Sequence, residues 1–356
     1  LKIRKFMDKA ENTNQSDQRP IFIFGCPRSG TSLLSKLLNS HPRIAIPYES
    51  LIYRTFYNWL KFYGDLNLPQ NRERLLDDIL STGPLADWSP YPNRENTIKA
   101  IQRYDFHGIF EAIMSAWAKN EGKQRWGEKT PAHLFYWREI LSGFPNVQII
   151  HIVRDGRDCA LSWKQSRVGP KHIYPTARGW VKHLEEVDKL KNVIDQNSFF
   201  EVRYEELLLN TQQVLKDMCS FLEEEYTPEM LNFYKDNAAY KTDKQNLKNL
   251  ARPIISSNTE KWRTQMTERQ LRIFEAVAGS TLERYGYHRE LENPQISSWE
   301  KLQFKYIEHP PRKFVAMMKN RKGQIEALQD LKIYFNLRLG LDSPTPLYSS
   351  SLSRNL

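Results

Sequence analysis

The sequence has few cysteines and no long apolar run. Its three cysteines, Cys26, Cys159 and Cys219, lie far apart, and none belongs to a C-x-x-C pair. This spacing argues against a disulfide scaffold or a zinc site and favours a reducing compartment. No apolar stretch reaches membrane-spanning length and no secretory leader is visible, so we expect a cytoplasmic protein without a transmembrane segment.

The sequence also lacks nucleic-acid-binding signatures, although it is basic. The chain has 356 residues and a formal net charge of +10, with an isoelectric point of about 9.3. That charge suits a polyanionic nucleotide, a nucleic acid or an anionic lipid as ligand. Because the basic residues are dispersed and no zinc-finger or RNA-binding motif is present, we expect no nucleic-acid partner. The length allows one large α/β domain or two ordinary ones.

A phosphate-binding loop that lacks its usual lysine is the most informative motif. Residues 20–32 read P-I-F-I-F-G-C-P-R-S-G-T-S. Gly25 and Gly30 keep the spacing of the nucleotide-binding loop G-x-x-x-x-G-K-[ST], and Ser32 holds its final hydroxyl. Thr31, however, stands where the lysine should be. The motif therefore predicts an anion-binding loop adapted to a donor other than ATP, the alternative being a turn whose glycines have no ligand role.

The residues on either side of the loop predict a strand and a helix. The continuous apolar run 21–24 is typical of a parallel strand buried on both faces. Leucines at helical spacing predict a helix over 31–40, which Pro42 terminates. The N-terminus of this helix then points its free N–H groups into the loop, where they favour phosphate or sulfate.

The P-R-S-G-T-S sequence resembles the 5′-phosphosulfate loop of sulfotransferases that use 3′-phosphoadenosine 5′-phosphosulfate (PAPS). The similarity is greatest to the protein-tyrosine sulfotransferase-like branch and its bacterial relatives, and it runs from about residue 20 to about residue 287. It implies a P-loop nucleotide-kinase-like parallel sheet flanked by helices, PAPS as donor, 3′,5′-ADP as product and no metal. The loop residues that would hold the phosphosulfate are Arg28, Ser29, Gly30, Thr31 and Ser32.

A second motif contains an arginine at a predicted strand end. Residues 147–153 form another buried-strand run, and Arg154 follows it. Ligands of open α/β sheets bind beyond the carboxyl ends of strands, so Arg154 is well placed, although a salt bridge would also explain it. Asp155 can cap the next helix, and Arg157 is expected to face solvent. The resemblance implies that Arg154 and Ser162 hold the 3′-phosphate of the donor.

Two further residues, with Arg28, are candidate catalytic groups. Glu49 follows the apolar run 44–46, which places it past a second strand on the same edge of the sheet. The resemblance implies that Glu49 takes the acceptor proton and that Lys129 approaches the bridging oxygen of the donor, where charge develops. The alternatives are a capping or surface glutamate and a solvated lysine. His133, in the helix predicted over 132–142, is a competing base.

Late segments match the family less closely. Tyr204, after the strand predicted over 198–202, matches a nucleotide-contacting tyrosine, and Lys261 matches a cation in a loop that folds over the nucleotide. The tyrosine enzymes carry a catalytic serine where an ungapped match gives Asn246. Ser256 and Ser257 are candidate substitutes, although loop polarity explains them equally well.

Composition divides the chain into three parts. Residues 1–19 are a polar N-terminal segment, 20–290 a sulfotransferase domain, and 291–356 a helical extension with a flexible tail. Aromatic residues in the helical insertion 61–124 predict either an acceptor pocket or core packing. The stretch 312–339 is predicted to form one basic amphipathic helix or two, which suits a membrane surface, a partner chain or simple packing on the domain, and an oligomer is compatible with it.

These observations predict an enzyme that transfers a sulfuryl group from PAPS to an acceptor hydroxyl by in-line displacement. A P-loop kinase for small hydroxyl compounds and a non-catalytic nucleotide-binding or anion-binding scaffold are the alternatives. Thr31 argues against the kinase, and the presence of Glu49 together with Lys129 argues against the scaffold. Tyrosine, sugar, lipid and small alcohol or phenol acceptors are all compatible with the sequence.

Overall fold

Five parallel strands form the centre of the computed structural model, which describes residues 19–88, 90–166, 169–235 and 249–346. The strands are β1 (Ile21–Phe24), β2 (Ile44–Ala45), β3 (Arg125–Glu128), β4 (Gln148–Val153) and β5 (Phe199–Arg203). Their order in the sheet is β2-β3-β1-β4-β5, and every neighbouring pair is parallel. The predicted parallel sheet is therefore confirmed, and the carboxyl ends of all five strands lie at one edge.

Helices connect the strands and cover both faces of the sheet. The α-helices of the described residues are α1 (Thr31–Asn39), α2 (Ile52–Phe56), α3 (Pro69–Leu80), α4 (Gly83–Ala86), α5 (Arg94–Ala100), α6 (Phe106–Asn120), α7 (Trp137–Gly143), α8 (Gly156–Gln165), α9 (Ile173–Lys191), α10 (Tyr204–Leu209), α11 (Thr211–Phe221), α12 (Trp262–Gln265), α13 (Glu268–Arg284), α14 (Ser298–Leu302), α15 (His309–Lys319) and α16 (Arg321–Leu339). Short 3₁₀ helices span Tyr57–Phe62, Pro131–Tyr136, Gln196–Ser198 and Pro228–Asn232. None of the described helices is both long and apolar enough to cross a bilayer.

Side chains of β1 alternate between two apolar layers. Phe22 packs with Phe110 of α6, their ring centroids 6.0 Å apart, while Ile23 points to the opposite layer with Leu34 of α1. All four side chains of β1 are fully buried, which explains why its sequence is continuously apolar rather than alternating. The strand is thus fixed from both sides, and the loop that follows it has a rigid base.

Two predicted helices are interrupted. The helix expected over 132–142 is a 3₁₀ turn, Pro131–Tyr136, followed by α7, because Tyr136 has φ −117° and ψ 22° and leaves the helical region. The basic stretch 312–339, predicted as one helix or two, forms two, since Asn320 (φ −97°, ψ 70°) separates α15 from α16. Periodicity predicted the helical residues in both cases, but not the 3₁₀ turn of the first or the position of the break in the second.

The helical insertion packs as core. Tyr63, Trp88 and Trp117 are buried, and the rings of the two tryptophans lie 5.8 Å apart. Helix α16 packs onto the same layer through Ile333 and Leu337, both buried. Core packing therefore accounts for these three aromatic side chains, and an acceptor pocket elsewhere in the insertion stays a prediction. Residues 1–18 and 347–356 lie outside the described residues.

Candidate active site

One candidate site residue from each strand lies at the carboxyl edge of the sheet. Arg28 follows β1, Glu49 follows β2, Lys129 follows β3, Arg154 follows β4 and Tyr204 follows β5. This is the edge at which open parallel sheets bind ligands. Residues separated by more than 170 positions in sequence are therefore brought to one place by the topology of the sheet.

The loop between β1 and α1 is tightly folded. The Ser29 N–H donates to the Cys26 carbonyl over 3.0 Å, and Gly30 adopts φ 100°. A Cβ at Gly30 would lie only 2.3 Å from the ring of Tyr204, so this position requires glycine. Arg28 also has a positive φ, 77°, a strained conformation for a side-chain-bearing residue that is typical of ligand-binding loops.

Arg28, Ser162 and Arg154 form one contact chain. The Arg28 Nε donates to Ser162 Oγ over 2.9 Å, and an Arg154 Nη1–H donates to the Arg28 carbonyl over 3.3 Å. Within the part of the chain that the structure describes, no acidic side chain lies within ion-pair distance of Arg28. Burial lowers the pKa of Arg28, and the charge of Arg154 acts in the same direction. Two guanidinium groups in such proximity favour an anion between them.

Arg154 is held by the late segment of the chain. Its guanidinium lies 4.3 Å from the centroid of the Tyr204 ring and donates to the Asn258 carbonyl over 3.0 Å. The Asn258 side chain in turn donates to the Tyr204 hydroxyl over 2.6 Å. Asp158 lies 3.4 Å from the same guanidinium. Sequence reasoning missed Asn258 and Asp158, because neither stands in a motif that points to a ligand.

Other late residues are not brought into the site. Ser256 and Lys261 are exposed, and the described contacts do not join either side chain to the loop or to Arg154. Asn246 lies outside the described residues. The segment contacts Arg154 and Tyr204 through Asn258, and its folding over a nucleotide stays a prediction.

Lys129 and Glu49 form an ion pair beside the loop. The Lys129 side chain is fully buried, and its Nζ lies 2.7 Å from Glu49 Oε1 and 3.3 Å from Ser32 Oγ. The same ammonium lies 5.0 Å from the centroid of the Tyr48 ring. The Glu49 side chain is 28% exposed, so its carboxylate can be reached from solvent, whereas the lysine lies on the buried side of the pair.

His133, the competing base, is part of a buried network. Its Nδ1 lies 3.0 Å from Glu128 Oε2, and the carboxylate also accepts from Thr130 and Ser50. Burial alone would raise the pKa of Glu128, but the charge and hydrogen bond of His133, together with the two hydroxyl donors, hold it below its usual value. The histidine is wholly inaccessible to solvent, unlike Glu49.

Arg157 is not on the surface, contrary to the prediction. It is almost fully buried, forms ion pairs of 2.8 Å with Asp155 and Glu275, and lies 3.5 Å from the ring centroid of Trp262. Asp155 caps α8 as predicted, accepting from the Arg157 N–H over 2.8 Å. The carboxylate of Glu275 comes from α13, 118 residues along the chain, so the local pattern could not reveal the pairing.

Two buried polar atoms at this edge have no protein partner among the described residues. They are Ser29 Oγ, inside the loop, and Arg154 Nε. Unpaired buried donors are costly, and a bound anion would satisfy both. The residues therefore fit a nucleotide that carries anionic groups at two positions. Among the described residues, no group of three or more histidine, cysteine or acidic side chains is arranged as a metal site.

The model of the Sulfotransferase family matches residues 20–228, which is more than half of the chain. The chain belongs to the sulfotransferase family. This match includes the loop, Glu49, Lys129, Arg154 and Tyr204. The predicted family is therefore confirmed, and nothing in the comparisons supports the kinase or the scaffold.

Individual relatives are distant. An uncharacterized protein of Aquifex aeolicus is 24% identical over 308 residues, which is 83% of this chain but only 36% of that protein, so the chain spans about a third of its length. The omega-hydroxy-beta-dihydromenaquinone-9 sulfotransferase Stf3 of Mycobacterium tuberculosis is 26% identical over 319 residues, 77% of each chain.

Solved structures confirm the fold. The sulfotransferase domain from the Synechococcus PCC 7002 olefin synthase has a TM-score of 0.51 and 22% identity, and the alignment covers 73% of this chain and 94% of that domain. Solved structures of lower similarity include complexes with PAP, which is 3′,5′-ADP.

Proposed function

We propose that the protein transfers a sulfuryl group from PAPS to an acceptor hydroxyl. The observation that carries this proposal is the chain of contacts from Ser162 through Arg28 to Arg154. These contacts join the loop and α8 into one cationic site, in which Arg28 has no acidic partner among the described residues. A nucleotide with phosphate groups at both ends of its ribose has the charge that this site lacks.

The residues divide into two donor-binding groups. Backbone amides of the loop, with Ser29, Thr31 and Ser32, would hold the 5′-phosphosulfate at the N-terminus of α1. Arg154 and Ser162 would hold the 3′-phosphate, and Arg28 lies between the two ends. Stacking against the adenine or ribose is a role for Tyr204, whose ring already packs on Arg154.

The chemistry requires one proton acceptor and one cation. The acceptor oxygen attacks sulfur, the bond from sulfur to the bridging phosphate oxygen breaks, and the acceptor proton passes to Glu49. Lys129 stabilises the negative charge that the phosphate gains, since its Nζ lies next to both Glu49 and Ser32. PAPS supplies the activated sulfuryl group, and these residues supply positioning, charge and a base.

Glu49 is preferred over His133 as the base because of access. The glutamate opens to solvent, where an acceptor can enter, whereas the histidine is enclosed with Glu128. Lys129, which contacts both Glu49 and Ser32, lies between the proposed base and the loop.

The acceptor is proposed only as a hydroxyl compound. The name of Stf3 includes an omega-hydroxy group on its menaquinone acceptor, which supports a hydroxyl acceptor for this chain as well. Because the Glu49 side chain is 28% exposed, we expect the acceptor to enter from the open side of this carboxylate.

Two experiments test the proposal. In titration calorimetry, 3′,5′-ADP should bind and ATP with Mg²⁺ should bind much more weakly; the reverse preference would overturn the assignment in favour of a kinase. Incubation with ³⁵S-labelled PAPS and a cell extract should then label an acceptor. Binding of 3′,5′-ADP without any label transfer would leave the donor site in place but refute the enzyme.

A further inference from the structure

The C-terminal extension carries most of the exposed apolar surface. Thirteen of the eighteen large apolar side chains that are exposed in the described residues lie between Trp299 and Leu341. Soluble proteins scatter such residues, so a concentration of this kind marks an interaction surface. The concentration begins beyond the segment that matches the sulfotransferase family, which ends at residue 228.

Helix α15 turns its apolar face away from the protein. At 100° per residue, Met317, Phe314, Met318 and Val315 lie on one arc of about 160°. All four are more than half exposed, and no residue of this helix is buried. The less exposed positions are His309 and Ala316, which lie opposite Phe314. An amphipathic helix of a soluble domain normally has the reverse orientation.

Helix α16 is apolar on two sides. Ile333 and Leu337 are buried against the domain, while Leu328, Leu331 and Phe335 form a separate stripe that is more than half exposed. This stripe has the i, i+3, i+7 spacing of one helix face. One apolar face of such a helix packs on the core of its own domain, and the other is available to a binding partner.

Firm anchors hold these helices in place. Phe304, just before α15, is fully buried and packs 4.9 Å from the His172 ring. Glu308 pairs with Arg269 of α13 over 2.7 Å, and its carboxylate lies 3.3 Å from His172 Nε2. The outward apolar face is therefore a feature of a docked segment.

Positive charge accompanies the apolar face. Residues 298–341 contain nine Lys or Arg and four Asp or Glu, a net charge of +5, which is half of the chain's total in 44 residues. On α15 the apolar arc is bordered by Lys313 on one side and by Lys319 on the other. Long cationic side chains at such borders can extend to phosphate groups while their stems lie on apolar surface.

We propose that α15 and the outer stripe of α16 bind the surface of an anionic phospholipid bilayer. The pattern of apolar residues bordered by Lys and Arg is that of helices that lie in the membrane interface. A second copy of the chain is the competing occupant, but two copies would bring two segments of net charge +5 together, which opposes association. Anionic lipid complements the net charge of the segment.

The test is co-sedimentation of the full chain with vesicles. We expect binding to vesicles of phosphatidylcholine that contain about 30% phosphatidylglycerol, and little binding to vesicles of pure phosphatidylcholine. The double variant Phe314→Ser, Met318→Ser should lower the partition coefficient about tenfold. The double variant Lys313→Gln, Lys319→Gln should lower it about fivefold for each cation removed. Binding of 3′,5′-ADP should not change, so this test is independent of the proposed function.

Matched controls lie in the main domain. Leu209 and Val193 are also more than half exposed, and Leu209→Ser with Val193→Ser should leave vesicle binding unchanged. Lys99→Gln with Lys119→Gln controls for charge. Equal binding to neutral and anionic vesicles, or equal loss in the controls, would overturn the proposal. Light scattering that shows a dimer abolished by Phe314→Ser, without vesicle binding, would assign the face to a second copy.

Discussion

The carboxyl edge of the sheet and the C-terminal helices depart from ordinary side-chain burial in opposite directions. At the sheet edge a charged group, Lys129, is fully buried, whereas on α15 an apolar ring, Phe314, is 58% exposed. We propose that a ligand of matching chemistry relieves each departure: an anion at the edge, and an apolar anionic surface at the helices. The two regions would then be adapted to different ligands, and we expect that they can be disabled separately.

The largest expected effect tests whether the ion pair of Lys129 and Glu49 acts in catalysis. Glu49→Gln should lower turnover by about 10² to 10⁴-fold, because the amide cannot take the acceptor proton. Affinity for 3′,5′-ADP should be preserved, since the amide can still accept from Lys129. Kinetics with ³⁵S-labelled donor and calorimetry measure the two quantities. Glu185→Gln, an exposed glutamate of α9, is the control; near-normal turnover of Glu49→Gln would exclude this residue as the base.

The next effect concerns donor affinity. Arg154→Ala should weaken binding of 3′,5′-ADP at least about a hundredfold, because two or more charge-assisted hydrogen bonds are lost. Arg154→Lys should recover only part of this, since an ammonium lacks the planar fork. Arg138→Ala removes an exposed arginine of α7 and should bind normally. Calorimetry checks all three, with circular dichroism to confirm folding; an unaltered affinity of Arg154→Ala would remove this residue from the donor site.

A smaller effect should come from the hydroxyl that orients Arg28. Ser162→Ala removes the acceptor of the Arg28 Nε bond and should weaken 3′,5′-ADP binding about tenfold. Ser220→Ala, an exposed helical serine, is the matched control. If the two variants bind equally well, the contact between Arg28 and Ser162 is structural only.

The smallest expected effect is a change in melting temperature that involves the C-terminal helices. Burial raises the pKa of Glu326, on α16, to about 7. A carboxyl with a raised pKa favours the folded state when protonated, so this contribution to stability falls as pH rises from about 4.5 to about 7. Glu326→Gln should therefore raise the melting temperature by a few degrees at most at pH 8 and have no effect at pH 4. A calorimetric gain at both pH values would contradict this cause; Glu229→Gln is the control.

Much of the donor edge could be predicted from sequence because its elements are local. The apolar run of β1, the glycines of the loop and the leucines of α1 are adjacent, and each strand-end residue follows its own strand. The parallel topology then brings Arg28, Arg154 and Tyr204 together without further information. The order of the strands in the sheet, and the face of the sheet that each helix covers, depend on side-chain packing.

What could not be predicted depends on contacts between distant segments. Asn258 meets Arg154 across 104 residues, and Arg157 finds Glu275 across 118. No local pattern encodes either pair, which is why Asn258 was missed and Arg157 was placed on the surface. For α15 the sequence predicted an amphipathic helix, but only the structure shows that its apolar face is turned outward.

The dispersed origin of the donor pocket has a consequence for quality control in the cell. Its proposed components are spread from Arg28 to Asn258, so we expect nucleotide binding to require the completed sheet. A saturating ligand should then stabilise the folded domain against proteolysis.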